Sequence, residues 1–138
     1  MTQEPIAGKP VKPVNVLRIP NATYCHPEIG SVGLTEAKAK ELGYDVKVGK
    51  FPFTANSRAS IVGQHEGFVK IVTDAKHGEI LGVHIIGPTA TELIAESVVA
   101  LEMESTAEDL ANIIHAHPTL SEAMLDAANA VFGMPINT

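Results

Sequence analysis

The stretch "GFVKIVTDAKHGEILGVHIIGPTATELIAESVVALEMES", residues 67–105, decides the fold. Two runs rich in Val and Ile, Gly67–Asp74 and Glu79–Gly87, flank the polar stretch Ala75–Gly78. Short apolar runs bounded by turn residues read as strands, so Asp74–Gly78 is expected to be the turn of a β-hairpin. Beyond Pro88 the period changes. Leu93, Ile94, Val98 and Leu101 fall along one stripe of a helix. Thr89 and Glu92 have the spacing of a capping box at its start.

Working outward, "NATYCHPEIGSVGLT" (21–35) mixes β-formers with Gly and Pro, which predicts short strands broken by a turn at His26–Pro27. "TEAKAKELG" (35–43) is built of helix formers, with apolar Ala37, Ala39 and Leu42 and Gly43 as the stop. "DVKVGKFPF" (45–53) places Val46, Val48 and Phe51 as a half-buried strand. "TANSRASIVGQ" (54–64) reads as an irregular polar surface loop. After the long helix, "STAEDLANII" (105–114) and "TLSEAMLDAANAVFG" (119–133) predict two more helices. Ser105 with Glu108 and Thr119 with Glu122 repeat the capping pattern, and Gly133 and Pro135 mark the end. Strands followed by a run of helices predict an α+β fold: a mainly antiparallel sheet with one helix inserted between strands and three C-terminal helices packed on it. Residues 1–18 carry three prolines and little periodicity, so they read as a linker or leader, with 19–138 as the domain.

The composition narrows the function. The 138 residues are 45% hydrophobic and 19% charged, enough for one core, and four Phe, two Tyr and no Trp leave that core to aliphatic residues. A net charge of −6 disfavours nucleic acid as a partner. Cys25 is the single cysteine and cannot form an intrachain disulfide; from its place in a probable strand it is expected to be buried. No signal peptide and no apolar run of membrane-spanning length is visible, so a soluble cytoplasmic protein is expected. Neither GxGxxG nor GxxxxGK[ST] occurs, and no regular βαβ alternation supports a dinucleotide-binding sheet.

"HAHPTLSE" (115–122) carries the chemistry. On local physics it admits a bland reading, in which Glu122 caps the last helix and the histidines are structural. A catalytic reading uses the same residues: His117 titrates near neutral pH, and a carboxylate at Glu122 can fix its tautomer and raise its basicity. A metal site from His115, His117 and His84 lacks a further ligand nearby in sequence and is disfavoured. No Ser or Cys nucleophile stands in an activating motif. A base without nucleophile, cofactor or pocket suggests half of a site, with the other half on another domain or chain.

These residues match a family. "YCHPEIGSVGLTEAKAKELG", "GEILGVHIIGPTATELI" and "HAHPTLSE", in this order, resemble the C-terminal dimerisation (interface) domain of the flavin-dependent pyridine nucleotide–disulfide oxidoreductases, most of all the branch that reoxidises dihydrolipoamide with NAD. The resemblance runs from about Ile19 to Ile136. It implies FAD and NAD domains and a redox-active cysteine pair upstream, a homodimer in which this domain completes the partner subunit's active site, and inactivity of the domain alone. It casts His117 as general acid/base for the dihydrolipoamide thiol and Glu122 as the group that orients it. It also brings the backbone of His117 and Pro118 up to the partner's FAD. His115 is at most a supporting residue in that picture, and cis peptide bonds are implied at His26–Pro27 and His117–Pro118. The resemblance further implies a basic peripheral-subunit-binding domain of a 2-oxo acid dehydrogenase acyltransferase as a partner. Glu102, Glu104, Glu108 and Asp109 form an acidic cluster that would suit it, although a solvated, capping helix face is the preferred reading of those four. No metal, nucleic acid or membrane is implied. The alternatives are the interface domain of a glutathione- or mercuric-reductase-like enzyme, or a stand-alone homodimeric binding module.

Overall fold

The computed structural model describes residues 13–137. Five strands, β1 (Asn21–Thr23), β2 (Glu28–Gly33), β3 (Val46–Pro52), β4 (Phe68–Asp74) and β5 (Ile80–Gly87), form one antiparallel sheet in the order β1-β2-β5-β4-β3. The expected hairpin is its centre. Val69 pairs with Ile85 and Ile71 with Val83. The turn is closed by the His77 N–H donating to the Asp74 carboxylate (2.9 Å) and by Gly78 at φ +73°.

The helices are α1 (Glu36–Glu41), α2 (Ser57–Val62), α3 (Ala90–Glu102), α4 (Ala107–Ala111) and α5 (Glu122–Ala130). α3 lies on β2 and β5, and α5 lies on β3 and β4. The main core sits between these helices and the sheet: Val69, Ile71, Val83 and Ile85 from the strands meet Ile94 and Leu101 from α3 and Met124 and Ala127 from α5. Strand alternation sends Val72 and Leu81 elsewhere, into a small second cluster with Leu34 and Ala39 of α1.

The α+β class stands, and several local expectations change. Residues 54–64 are not a loop: Phe53–Ala55 make a 3-10 turn and α2 follows. The Asn56 carboxamide accepts from the Ala59 N–H (2.9 Å), and Gly63 closes the helix at φ +71°. Only Ala59 of α2 is buried, so no apolar stripe advertised the helix. Thr89 does not cap α3. It sits at φ +51°, and the helix start is served by Glu28 of β2, whose carboxylate accepts from the Thr91 N–H (3.1 Å) and hydroxyl (2.6 Å). The box at α4 belongs to Thr106 and Asp109, one residue on, because the Ser105 carbonyl is taken by the Ile80 N–H (3.0 Å).

Cys25 is exposed, not buried: β1 ends at Thr23, and the thiol donates to the Pro27 carbonyl (3.0 Å) in the turn to β2. Both peptide bonds implied to be cis, His26–Pro27 and His117–Pro118, are cis. The first twelve residues of the expected linker lie outside the described residues. Val16–Arg18 form a 3-10 turn with no buried residue.

α5 rests directly on the backbone of β3. A Cβ at Gly49 would stand inside the Ala127 carbonyl oxygen and 2.7 Å from the Val131 nitrogen, both backbone atoms. Gly49→Ala is therefore expected to cost about 1–3 kcal/mol or more, since helix or strand must shift. Urea unfolding measures this, and an unchanged midpoint would show that α5 is free to lift from the sheet.

Candidate functional site

The segment between α4 and α5 carries HAHPTLSE. It ends at the first turn of α5, so Glu122 is fixed by the helix and His117 by the loop before it. The His117 Nδ1 lies 2.9 Å from the Glu122 Oε1. An ionised carboxylate can only accept, so Nδ1 carries the proton and the neutral ring keeps Nε2 as its basic nitrogen. The imidazole is 70% exposed, whereas the Glu122 side chain is only 16% exposed.

The other carboxylate oxygen of Glu122 accepts from the Thr119 N–H (2.7 Å). This is one half of the expected capping box. The reciprocal half is absent: the Thr119 hydroxyl donates to the Ala116 carbonyl (2.7 Å), and the helix is entered through Ser121. Partial burial pushes the Glu122 carboxyl up. The bonds from the Thr119 N–H and the His117 ring, with the charges of His117 and His115, outweigh that and hold it below its ordinary value of 4.5. Arranged this way, the pair can take a proton at Nε2 and stabilise the resulting imidazolium against a fixed anion.

Two residues that the sequence reading missed hold this segment. Asn56, buried at the head of α2, donates its amide to the Thr119 carbonyl (3.0 Å). Glu96 of α3 lies 2.8 Å from the Nε2 of His115, whose ring is only 7% exposed. The spacing of an isolated Asn or Glu so far away in sequence carries no signal of either contact. His84 faces the Leu34 carbonyl instead (3.1 Å), and among the described residues no cluster of three His, Cys, Asp or Glu side chains is arranged to hold a metal ion.

The acidic cluster is largely spoken for. Arg18 bonds both Glu102 (3.1 Å) and Glu104 (3.1 Å), and Asp109 closes the α4 box with Thr106. Beside it, a groove of about 340 Å³ between α3 and α4 is lined by Glu96, Val99, Ala100, Leu110 and Ile113 among others. Val99 and Ile113 of this groove are exposed, as are Met103 and Ile114 nearby in sequence. Among the described residues no helix is long and apolar enough to cross a membrane.

Residues 19–128 match the profile of the pyridine nucleotide-disulphide oxidoreductase dimerisation domain. The chain belongs to that family. It is 49% identical to dihydrolipoyl dehydrogenase of Rhizobium etli, over 97% of this chain and 28% of the relative. It is 48% identical to the mitochondrial dihydrolipoyl dehydrogenase of Pisum sativum, over 97% of this chain and 26% of the relative. This dimerisation domain thus spans about a quarter of the length of those curated relatives. Among solved structures, it resembles LpdA from Mycobacterium tuberculosis with a TM-score of 0.82 at 28% identity, covering 88% of this chain and 27% of that one. It also resembles the HOCl-induced flavoprotein disulfide reductase RclA from Escherichia coli, with a TM-score of 0.77 at 27% identity over 80% of this chain and 26% of that one.

Because folding lowers the Glu122 pKa, its carboxylate stabilises the domain above the unfolded value, and that contribution is lost as pH falls through the folded value. The stability difference between the wild type and Glu122→Gln should be full near neutrality and shrink as pH falls below the ordinary carboxyl value of 4.5 toward the lower folded one. Urea titrations across that range check it; a difference independent of pH would show that the carboxylate charge contributes nothing.

Proposed function

We propose that this chain is the dimerisation domain of a dihydrolipoyl dehydrogenase, and that it lends His117 and Glu122 to the active site of the partner subunit. The observation that carries the reading is the exposed imidazole at 2.9 Å from a largely buried carboxylate, with no Ser, Thr or Cys side chain among the described residues bonded to the ring. Such a base serves a reactant brought from outside.

His117 Nε2 would remove the proton of a dihydrolipoamide thiol. The resulting thiolate sulfur attacks one sulfur of a disulfide held by the partner subunit and expels the other as a thiolate. Glu122 holds the imidazolium so formed, then keeps the ring in the tautomer that can accept again. Electron transfer from the reduced cysteine pair to NAD is the chemistry that FAD supplies when bound. The residues here fit a limited part in holding it: His117 and Pro118 are exposed at the edge of the domain, where their backbone can approach a partner's flavin. The chain alone would then be inactive.

The exposed apolar residues of α3 and the segment after α4 (Val99, Met103, Ile113 and Ile114) would form the two-fold contact of the homodimer. An acyltransferase's peripheral-subunit-binding domain would approach the same region, with Glu108 the member of the acidic cluster outside the Arg18 and Thr106 contacts. The cytoplasmic placement expected from the sequence belongs to this reading, although the pea relative is named mitochondrial.

The test is a chimera in which this chain replaces the matching C-terminal segment of the Rhizobium enzyme. Dihydrolipoamide-dependent reduction of NAD is expected, and His117→Gln should lower it by about 10²–10⁴-fold. A folded, flavin-loaded chimera that ignores dihydrolipoamide, or is indifferent to His117→Gln, would refute the proposal.

A further inference from the structure

The loop that presents His117 has few means of holding its shape. From Asn112 to Pro118 every residue is exposed except His115. Among the described residues, no backbone–backbone hydrogen bond involves residues 114–118. The later end of the loop is fixed, by Asn56 to the Thr119 carbonyl and by Glu122 to the Thr119 N–H. Between the ends, the Ala116 carbonyl accepts from the Thr119 hydroxyl (2.7 Å), and the buried His115 ring is what ties the earlier part of the loop to α3.

That ring is engaged at both nitrogens. His115 Nε2 lies 2.8 Å from the Glu96 carboxylate on α3, and Nδ1 lies 3.1 Å from the Ile113 carbonyl. A carbonyl can only accept, so Nδ1 must carry a proton. At Nε2 the bond then forms in one of two ways: the ring donates to the carboxylate, or a carboxylic acid donates to the ring. In either case the pair holds one shared proton, and the bond ties the loop two residues before His117 to the middle of the longest helix. A ring with both nitrogens committed has no second orientation that keeps both bonds.

We propose that Glu96 and His115 are a positioning pair for His117. They do not touch substrate; they hold the loop so that the His117 Nδ1–H stays on Glu122 and Nε2 stays the basic nitrogen. This rests on the reading of His117 as an acid/base, and it is testable without turnover.

Glutamine separates position from charge. In Glu96→Gln the side-chain amide can donate to a bare His115 Nε2 while Nδ1–H keeps Ile113, so the brace survives. In Glu96→Ala it is gone. Imidazole nitrogen NMR of the 138-residue chain in mildly alkaline buffer reads the His117 tautomer directly. The expected result is a single Nδ1–H tautomer in the wild type and in Glu96→Gln, and a tautomer mixture in Glu96→Ala. His115→Ala breaks the same brace from the other side without touching α3, and should also give the mixture if Glu96→Ala fails to fold. Amide signals of β4 and β5 report that each variant is folded. A single His117 tautomer in a folded Glu96→Ala or His115→Ala would overturn the proposal, as would a Glu96→Gln variant as scrambled as Glu96→Ala. Failure of the catalytic reading shows separately, as turnover in the chimera that survives His117→Gln.

Discussion

The structure depends on how closely two helices approach the sheet. At Gly30 a Cβ would strike the Ala90 carbonyl of α3, and at Gly49 the Ala127 carbonyl of α5. Helix backbone lies on strand backbone at both places, which few sequences allow. The contact at Gly30 fixes the start of α3, and with it the height of Glu96 two turns along. The contact at Gly49 fixes α5, whose first residue is Glu122. The two acidic side chains that hold the histidines are therefore placed by the sheet, through glycines that have no chemistry of their own.

Much of the fold was legible in the sequence for a simple reason. The β4–β5 hairpin and α3 are long enough for their periods to show, and their punctuation is strong. What was lost is local and explicable. α2 buries one alanine, so no period existed to detect. The cap of α4 slipped by a residue because Ser105–Glu108 and Thr106–Asp109 have the same spacing, and a long-range bond to Ile80 chooses between them. Cys25 seemed a core residue by type, yet it stands in a turn, where the chain leaves the sheet. In the candidate site, His117 and Glu122 could be paired by eye because they are five residues apart. Asn56 and Glu96 could not, being 63 and 19 residues from the groups they hold.

The competing readings of HAHPTLSE turn out to be compatible. Glu122 satisfies a backbone donor at the head of α5 with one oxygen and meets His117 with the other. The structural bond removes freedom from the side chain that the chemical one needs to be rigid. A carboxylate tied down by its own helix start loses little further entropy when the imidazole becomes charged.

The strand order bears on how the protein keeps from aggregating. β1 and β3 are the outer strands, and open edges invite pairing with other chains. β1 has only three residues, all exposed. β3 carries Lys47 and Lys50 on exposed positions and ends in Pro52, which has no N–H to offer. A neighbouring copy adding itself as a sixth strand would have to strip water from those ammonium groups. Self-association is thus steered away from the sheet's rims.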